Sequence, residues 1–208
     1  VTGRQETYDL HRYWQHHDFR IGVGLEYLVS LCKAVGIENE QKPVLSFPLG
    51  TNDVTTAEVA KAYQTFITGN LYRYYEEGPI NQLNFIRRIE DRHGNILFEP
   101  LRREYRLARP EYAFQMREIL RRVVTHGTGR MARGELFATV GETAEGDQAA
   151  KGKGKKPVRV RVPSFGKTGT TNDYSNAYFA GFVPYPVAKN KGLDPANSYV
   201  ISAYVGYD

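Results

Sequence analysis

Cysteine is nearly absent: Cys32 stands alone in a chain of 208 residues. A single cysteine makes no internal disulfide, and no CxxC or Cys/His metal spacing accompanies it. It falls in an apolar helical pattern, where a small, soft side chain fills core space. Long apolar runs are missing too, so no stretch reads as a membrane span, and no signal-peptide pattern opens the chain. The first residue is Val1 rather than Met, and we expect a segment to precede it. His11, His16 and His17 lie close together. However, neither HExxH nor a carboxylate at ligand spacing joins them. No metal and no cofactor is expected.

Aromatic residues are plentiful, with fifteen Tyr and ten Phe. That number suits sheet surfaces and the lining of a cleft as well as a core. The net charge of +5 is mild. It fits an anionic partner, but its first meaning is solubility, and no nucleic-acid binding is expected from charge alone.

Residues 1–20 are polar and aromatic and read as a surface segment. Leu25, Leu28, Val29, Cys32 and Val35 then recur at helical spacing, with Gly36 as the stop. Thr55-Thr56-Ala57-Glu58 reads as a capping box opening a second helix, with Val54 and Val59 placed as a hydrophobic staple. Its buried stripe is Val59, Ala60, Ala62, Tyr63, Phe66 and Ile67, and Gly69 ends it. Residues 85–90 and 96–98 read as two short strands around the turn 91–95. Pro110 suits the first position of a third helix, which carries Met116, Ile119, Leu120, Val123 and Val124 and stops at Gly127. Residues 141–157 are poor in apolar side chains and include Lys151, Lys153, Lys155 and Lys156. They read as a solvated flexible loop, with anionic glycan or lipid binding as the competing use. Alternation at Val158, Val160 and Val162 announces strands, followed by 165–171, 178–183 and 199–205. Val158 to Val162 either extends the strand at 165 or forms a hairpin with it. Helices first and an antiparallel sheet last make an α+β fold.

Gly166-Lys167-Thr168-Gly169-Thr170-Thr171 carries the chemistry. A phosphate loop, GxxxxGK[ST], needs its first glycine where Arg161 stands, and it needs a helix to follow. A turn and a strand follow instead. The second reading is the KTG element of serine acyl-transfer enzymes that react with β-lactams. There a lysine ammonium and a hydroxyl meet a substrate carboxylate. A glycine lets the substrate backbone lie against the strand, and the next amide serves as an oxyanion-hole donor. Lys167, Thr168, Gly169 and Thr170 supply these in order.

With its context, residues 167–173, 177–184 and 200–208, this stretch resembles the final sheet of class A penicillin-binding proteins, the bifunctional peptidoglycan synthases. Two further blocks are similar to that family: Leu49-Gly50 through Ala60, and Leu120 through Gly127-Thr128-Gly129-Arg130. Order and approximate spacing hold from about Gly22 to Asp208.

The resemblance implies a partial penicillin-binding/β-lactamase-like transpeptidase fold. It has an entry segment at 1–24, a helical part with a short hairpin at 25–130, the basic loop at 141–157, and a sheet with the KTG strand at 158–208. It implies cross-linking of peptidoglycan stem peptides through a serine acyl-enzyme, with Lys167 and Thr168 catalytic and Lys167, Thr168, Gly169 and Thr170 binding substrate. The implied partners are stem peptides on lipid-linked glycan strands, β-lactams, and the N-terminal half of the same domain. Work at the extracytoplasmic face of the bacterial inner membrane, with an anchor outside this chain, follows from the same resemblance.

The family's other elements, SxxK and SxN, are the departure. No serine of this chain is followed two residues later by Asn. SxxK occurs once, as Ser30-Leu31-Cys32-Lys33. Ser30 lies too close to the Leu49 block for the family's order, and it sits on the helix face away from the apolar stripe. We expect the nucleophile to lie outside this chain and the chain alone to be inactive. Three readings stay open: part of a transpeptidase, a serine β-lactamase relative, and a degenerate fold that binds wall polymer or protein. Self-association through an open sheet edge is a further expectation.

Overall fold

Among the described residues three α-helices lead, two short strand pairs precede a fourth helix, and the remaining strands close the order. The computed structural model describes residues 10–133, 136–140, 158–171, 175–186 and 193–206. The basic run at 151–156 and the rest of the 141–157 loop lie outside the described residues.

Helices α1 (Leu10–Gln15) and α2 (His17–Ala34) come first. From Leu10 onward the polar entry segment is mostly exposed, as expected, but it is helical; residues 1–9 lie outside the described residues. Helix α2 begins before its apolar stripe because only its later turns are buried, through Leu25 and Val29. Gly36 follows in the left-handed region, φ +93°. A Cβ there would also crowd the Asn81 carbonyl oxygen at 3.2 Å.

Helix α3 (Thr56–Thr68) starts at the expected capping box. Thr55 Oγ1 accepts from the Glu58 amide at 3.2 Å, and the Glu58 carboxylate accepts from the Thr55 amide at 2.7 Å. The other Glu58 oxygen accepts from the amides of Glu38 and Asn39 at 2.7 and 2.8 Å. One carboxylate therefore caps α3 and holds the chain leaving α2. Burial alone would raise its pKa. The amides of Thr55, Asn39 and Glu38 and the Thr55 hydroxyl outweigh that and hold it below the usual glutamate range.

Gly69 closes α3 with φ +80°. Strand β1 (Asn70–Arg73) follows directly. The short strands at 85–90 and 96–98 reduce to β2 (Ile89–Glu90) and β3 (Ile96–Phe98), an exposed antiparallel pair. Its turn is tied by Asp91, whose Oδ1 accepts from the amides of His93 and Asn95. Strand β4 (Arg103–Arg106) returns to pair antiparallel with β1. That two-stranded sheet has no clear signature in the sequence.

Helix α4 (Pro110–His126) has proline at its start, as read. Its buried residues are Ala113, Leu120 and Val124. Ile119 was expected in the stripe, but it is 57% exposed. It sits about 100° around the helix from Leu120, off the face that the other three define.

Strands β5 (Phe137–Val140) and β6 (Val158–Arg161) form their own antiparallel pair. This corrects the expectation that 158–162 would extend or pair with the strand at 165. The amide of Val162 donates to Leu136 O, continuing the ladder toward β5. Pro163 then has no amide to donate, so the ladder breaks there.

The last sheet has the order β7-β8-β9, from β7 (Phe165–Thr170), β8 (Asn176–Pro186) and β9 (Leu193–Gly206), all antiparallel. Ile67 of α3, Leu120 of α4, Phe165 of β7 and Phe182 of β8 make one buried cluster, with Tyr63, Phe66, Met116 and Val200 packed against it. Helices α3 and α4 thus cover one face of this sheet, and the fold is α+β. Tyr63 is pressed into this layer. Its burial, and then the neighbouring Tyr178, push its hydroxyl up to about 12.

Candidate functional site

The site is built on β7. Phe165 is buried and pins its first residue beneath the helices. From Lys167 onward the strand emerges: Lys167, Gly169 and Thr170 are exposed and Thr168 is half-buried. The structure therefore places all four predicted residues side by side on one strand, at its solvent end.

On one side β7 pairs with β8 in unbroken register, Lys167 facing Ala180, Thr168 facing Phe179 and Gly169 facing Tyr178. Among the described residues, no strand pairs with its other side. The ladder direction tells which groups face that open side. The Thr171 amide donates across to Asn176 O at 3.1 Å. In an antiparallel pair the backbone groups alternate between the two sides from residue to residue. The N–H and C=O of Gly166, Thr168 and Thr170 therefore point to the open edge. The Thr170 amide is thus one of the donors that the open edge presents. The Thr168 carbonyl is taken up by Lys167, whose Nζ donates to it at 2.5 Å.

Glycine is required along this pairing for different reasons. At Gly181 a Cβ would come within 2.1 Å of the Phe165 carbonyl oxygen, which is backbone and does not give way. At Gly169 the nearest atom is Tyr178 Cβ at 3.2 Å, a tight but side-chain contact. Gly181 thus serves the close approach of β7 and β8, whereas Gly169 keeps the exposed surface of β7 low.

The turn after α4 reaches the same spot. Thr128 Oγ1 lies 2.6 Å from Thr168 Oγ1. The turn is folded hard onto α4: the Gly127 and Gly129 amides both donate to Val123 O, and a Cβ on Gly127 would stand 2.9 Å from that oxygen. Sequence reasoning marked Gly127-Thr128-Gly129 as a helix end, without a role for its threonine. The flanking glycines were the available signal; the contact with residue 168 was not visible in local pattern.

Ser30 is exposed on α2, as its helical spacing indicated, and Lys33 is exposed too. Cys32 is half-buried, and burial pushes its thiol pKa up. No helix among the described residues is long and apolar enough to cross a membrane.

No family profile matches the chain. Individual proteins do. Penicillin-binding protein 1A of Aquifex aeolicus is 33% identical over 187 residues, which covers 89% of this chain and 19% of that protein. Penicillin-binding protein 1A of Rickettsia prowazekii is 28% identical over 211 residues, covering 89% and 21%. That of Neisseria meningitidis serogroup A is 29% identical over 194 residues, covering 90% and 19%. The chain spans about a fifth of the length of the curated relatives it matches.

Proposed function

We propose that this chain, similar over 89% of its length to a penicillin-binding protein 1A, is part of a class A transpeptidase region and forms the carboxylate-binding wall of a serine D,D-transpeptidase that cross-links peptidoglycan. The observation that carries this reading is β7 itself: a strand whose solvent end bears Lys167 and Thr168, whose open edge offers the Thr170 amide, and whose surface is kept low at Gly169.

On this reading a stem peptide ending in D-Ala-D-Ala adds along the open edge of β7 as an extra strand. Its terminal carboxylate meets the Lys167 ammonium and the Thr168 hydroxyl, a charge-assisted pair of contacts. Lys167 leaves the Thr168 carbonyl to make that contact. A serine outside this chain attacks the penultimate carbonyl carbon and passes its proton to a neighbouring base. The Thr170 amide steadies the oxyanion. The peptide C–N bond then breaks, and D-Ala departs as a protonated amine. An amine from a second stem peptide attacks the ester, restoring the serine. β-Lactams present the same carboxylate and carbonyl and stop at the ester.

Residues 25–130 and 158–208 belong to one transpeptidase domain, whose SxxK and SxN come from elsewhere in the protein. The basic loop at 141–157 lies between β5 and β6 in sequence. The protein works at the extracytoplasmic face of the membrane, anchored by a segment outside this chain.

Intact mass after incubation with a reactive penicillin tests the proposal. The complete protein gains one stoichiometric adduct, more slowly with Lys167→Ala, and the chain alone gains none. An adduct on the isolated chain that disappears with Ser30→Ala would overturn the placement of the nucleophile. No adduct on the complete protein would favour a degenerate, non-catalytic binding fold instead.

A further inference from the structure

A pair of hydroxyls links the turn after α4 to the tip of β7. Thr128 and Thr168 are forty residues apart in sequence, and their oxygens are 2.6 Å apart. That is within the normal range for O–H···O. The link is braced. Ala132 N donates to Gly129 O at 2.9 Å, and Ser164 Oγ donates to Ala132 O at 2.6 Å, just before β7 begins. The turn is therefore stitched to β7 at two points, and Gly127 and Gly129 press it onto the end of α4.

A hydroxyl has one proton and two lone pairs. If Thr168 gives its proton to Thr128, only lone pairs remain to face a carboxylate, which is itself only an acceptor. If Thr128 gives its proton to Thr168, the Thr168 proton is free, and donation from Thr128 polarises it further. Only the second arrangement suits an anionic ligand.

We propose that Thr128 is a positioning residue that fixes the Thr168 hydroxyl as a donor toward a substrate carboxylate, forming the chain Thr128 to Thr168 to carboxylate. The inference rests on the reading of β7 as the carboxylate-binding strand. Thr128 does not touch substrate. It sets which way the neighbouring proton points.

The test uses the complete protein, as wild type, Thr128→Val, Thr128→Ser, Thr168→Val and the double valine variant. Binding is titrated calorimetrically with a peptide ending in a free D-Ala-D-Ala carboxylate and with its C-terminal amide. Thermal melting confirms folding. Thr128→Val should bind the free acid roughly ten-fold more weakly. It should bind the amide as wild type does. Thr128→Ser, which keeps the hydroxyl, should restore the acid affinity. Thr128→Val should add little on top of Thr168→Val, because both cut the same chain. Equal loss for acid and amide, full additivity, or no loss at all would each refute the proposal. So would a wild type that does not distinguish acid from amide. Penicillin adducts are recorded in the same samples. Thr128-dependent acid binding with no adduct removes the transpeptidase reading and leaves this one standing. Adduct formation with no Thr128 dependence does the reverse.

Discussion

Phe165 stacks on Phe182 with ring centroids 4.8 Å apart and planes 11° from parallel. The two are register partners across β7 and β8, and Phe165 lies two positions before Lys167. The strand that presents the cation is therefore fixed by a buried aromatic contact, with Phe182 at 1% exposure. Phe182→Ala would leave a cavity against Ile67 and Leu120, at a cost of about 3–5 kcal/mol. Urea unfolding should show the midpoint falling accordingly. A loss below about 1 kcal/mol would mean that this pair does not anchor β7.

Glu58 gives a pH prediction of definite sign. Its carboxyl is held below the usual range in the folded state, so the unfolded chain binds more protons across that window. Its contribution is fully present above the ordinary carboxylate pKa and is lost as pH falls through the folded value. Glu58→Gln should cost about 1–2 kcal/mol at neutral pH, as the loss of a strong cap does. The gap between wild type and variant should close in acid. Paired urea titrations at neutral and acid pH measure it, and a gap that widens in acid would contradict the sign.

Asn81 carries more structure than its place in a loop suggests. It is 1% exposed. Its Nδ2 donates to Val35 O at 2.6 Å and Lys61 O at 2.9 Å, and its Oδ1 accepts from the Gln64 amide group and the Tyr72 backbone amide. It thus joins the end of α2, the middle of α3 and β1. Asn81→Leu, though similar in size, strands several buried polar groups at about 1–3 kcal/mol each. We expect the chain to lose its cooperative thermal transition. A variant that melts like wild type would show that water or neighbours replace those bonds.

Features set by neighbouring residues were legible in the sequence. The Thr55–Glu58 box, the glycines at 36 and 69, Pro110 and the alternation near 158 each act over a few residues, and the structure bears them out. Features set by distant partners were not. Strand β1 is Asn-Leu-Tyr-Arg and β4 is Arg-Glu-Tyr-Arg, and neither shows which residues will pair. Thr65 and Glu58 are polar but buried, because each finds bonds that helical periodicity does not record. The KTG residues were legible because their order along one strand is itself the chemistry. Thr128 was not, since its meaning depends on a turn and a strand meeting in space.

Two glycines on the β7–β8 pair should separate stability from function. Gly181→Ala places a Cβ 2.1 Å from a backbone oxygen. Strands β7 and β8 must then move apart, at a cost of about 1–3 kcal/mol or more. Gly169→Ala meets only Tyr178 Cβ at 3.2 Å, and since Cβ moves only with its backbone, the strands must ease apart by a few tenths of an ångström, so stability should change by less than about 1 kcal/mol. On the proposed function, however, the new methyl stands where the substrate strand lies against β7. In the complete protein Gly169→Ala should fold as wild type and lose penicillin acylation at least about ten-fold, since a sub-ångström misfit at a reacting geometry is amplified in rate. Gly181→Ala should lose folding and acylation together. Melting curves and adduct rates on the same preparations decide it. If Gly169→Ala keeps the wild-type acylation rate, the ligand does not lie against β7, and the open edge is not the binding wall.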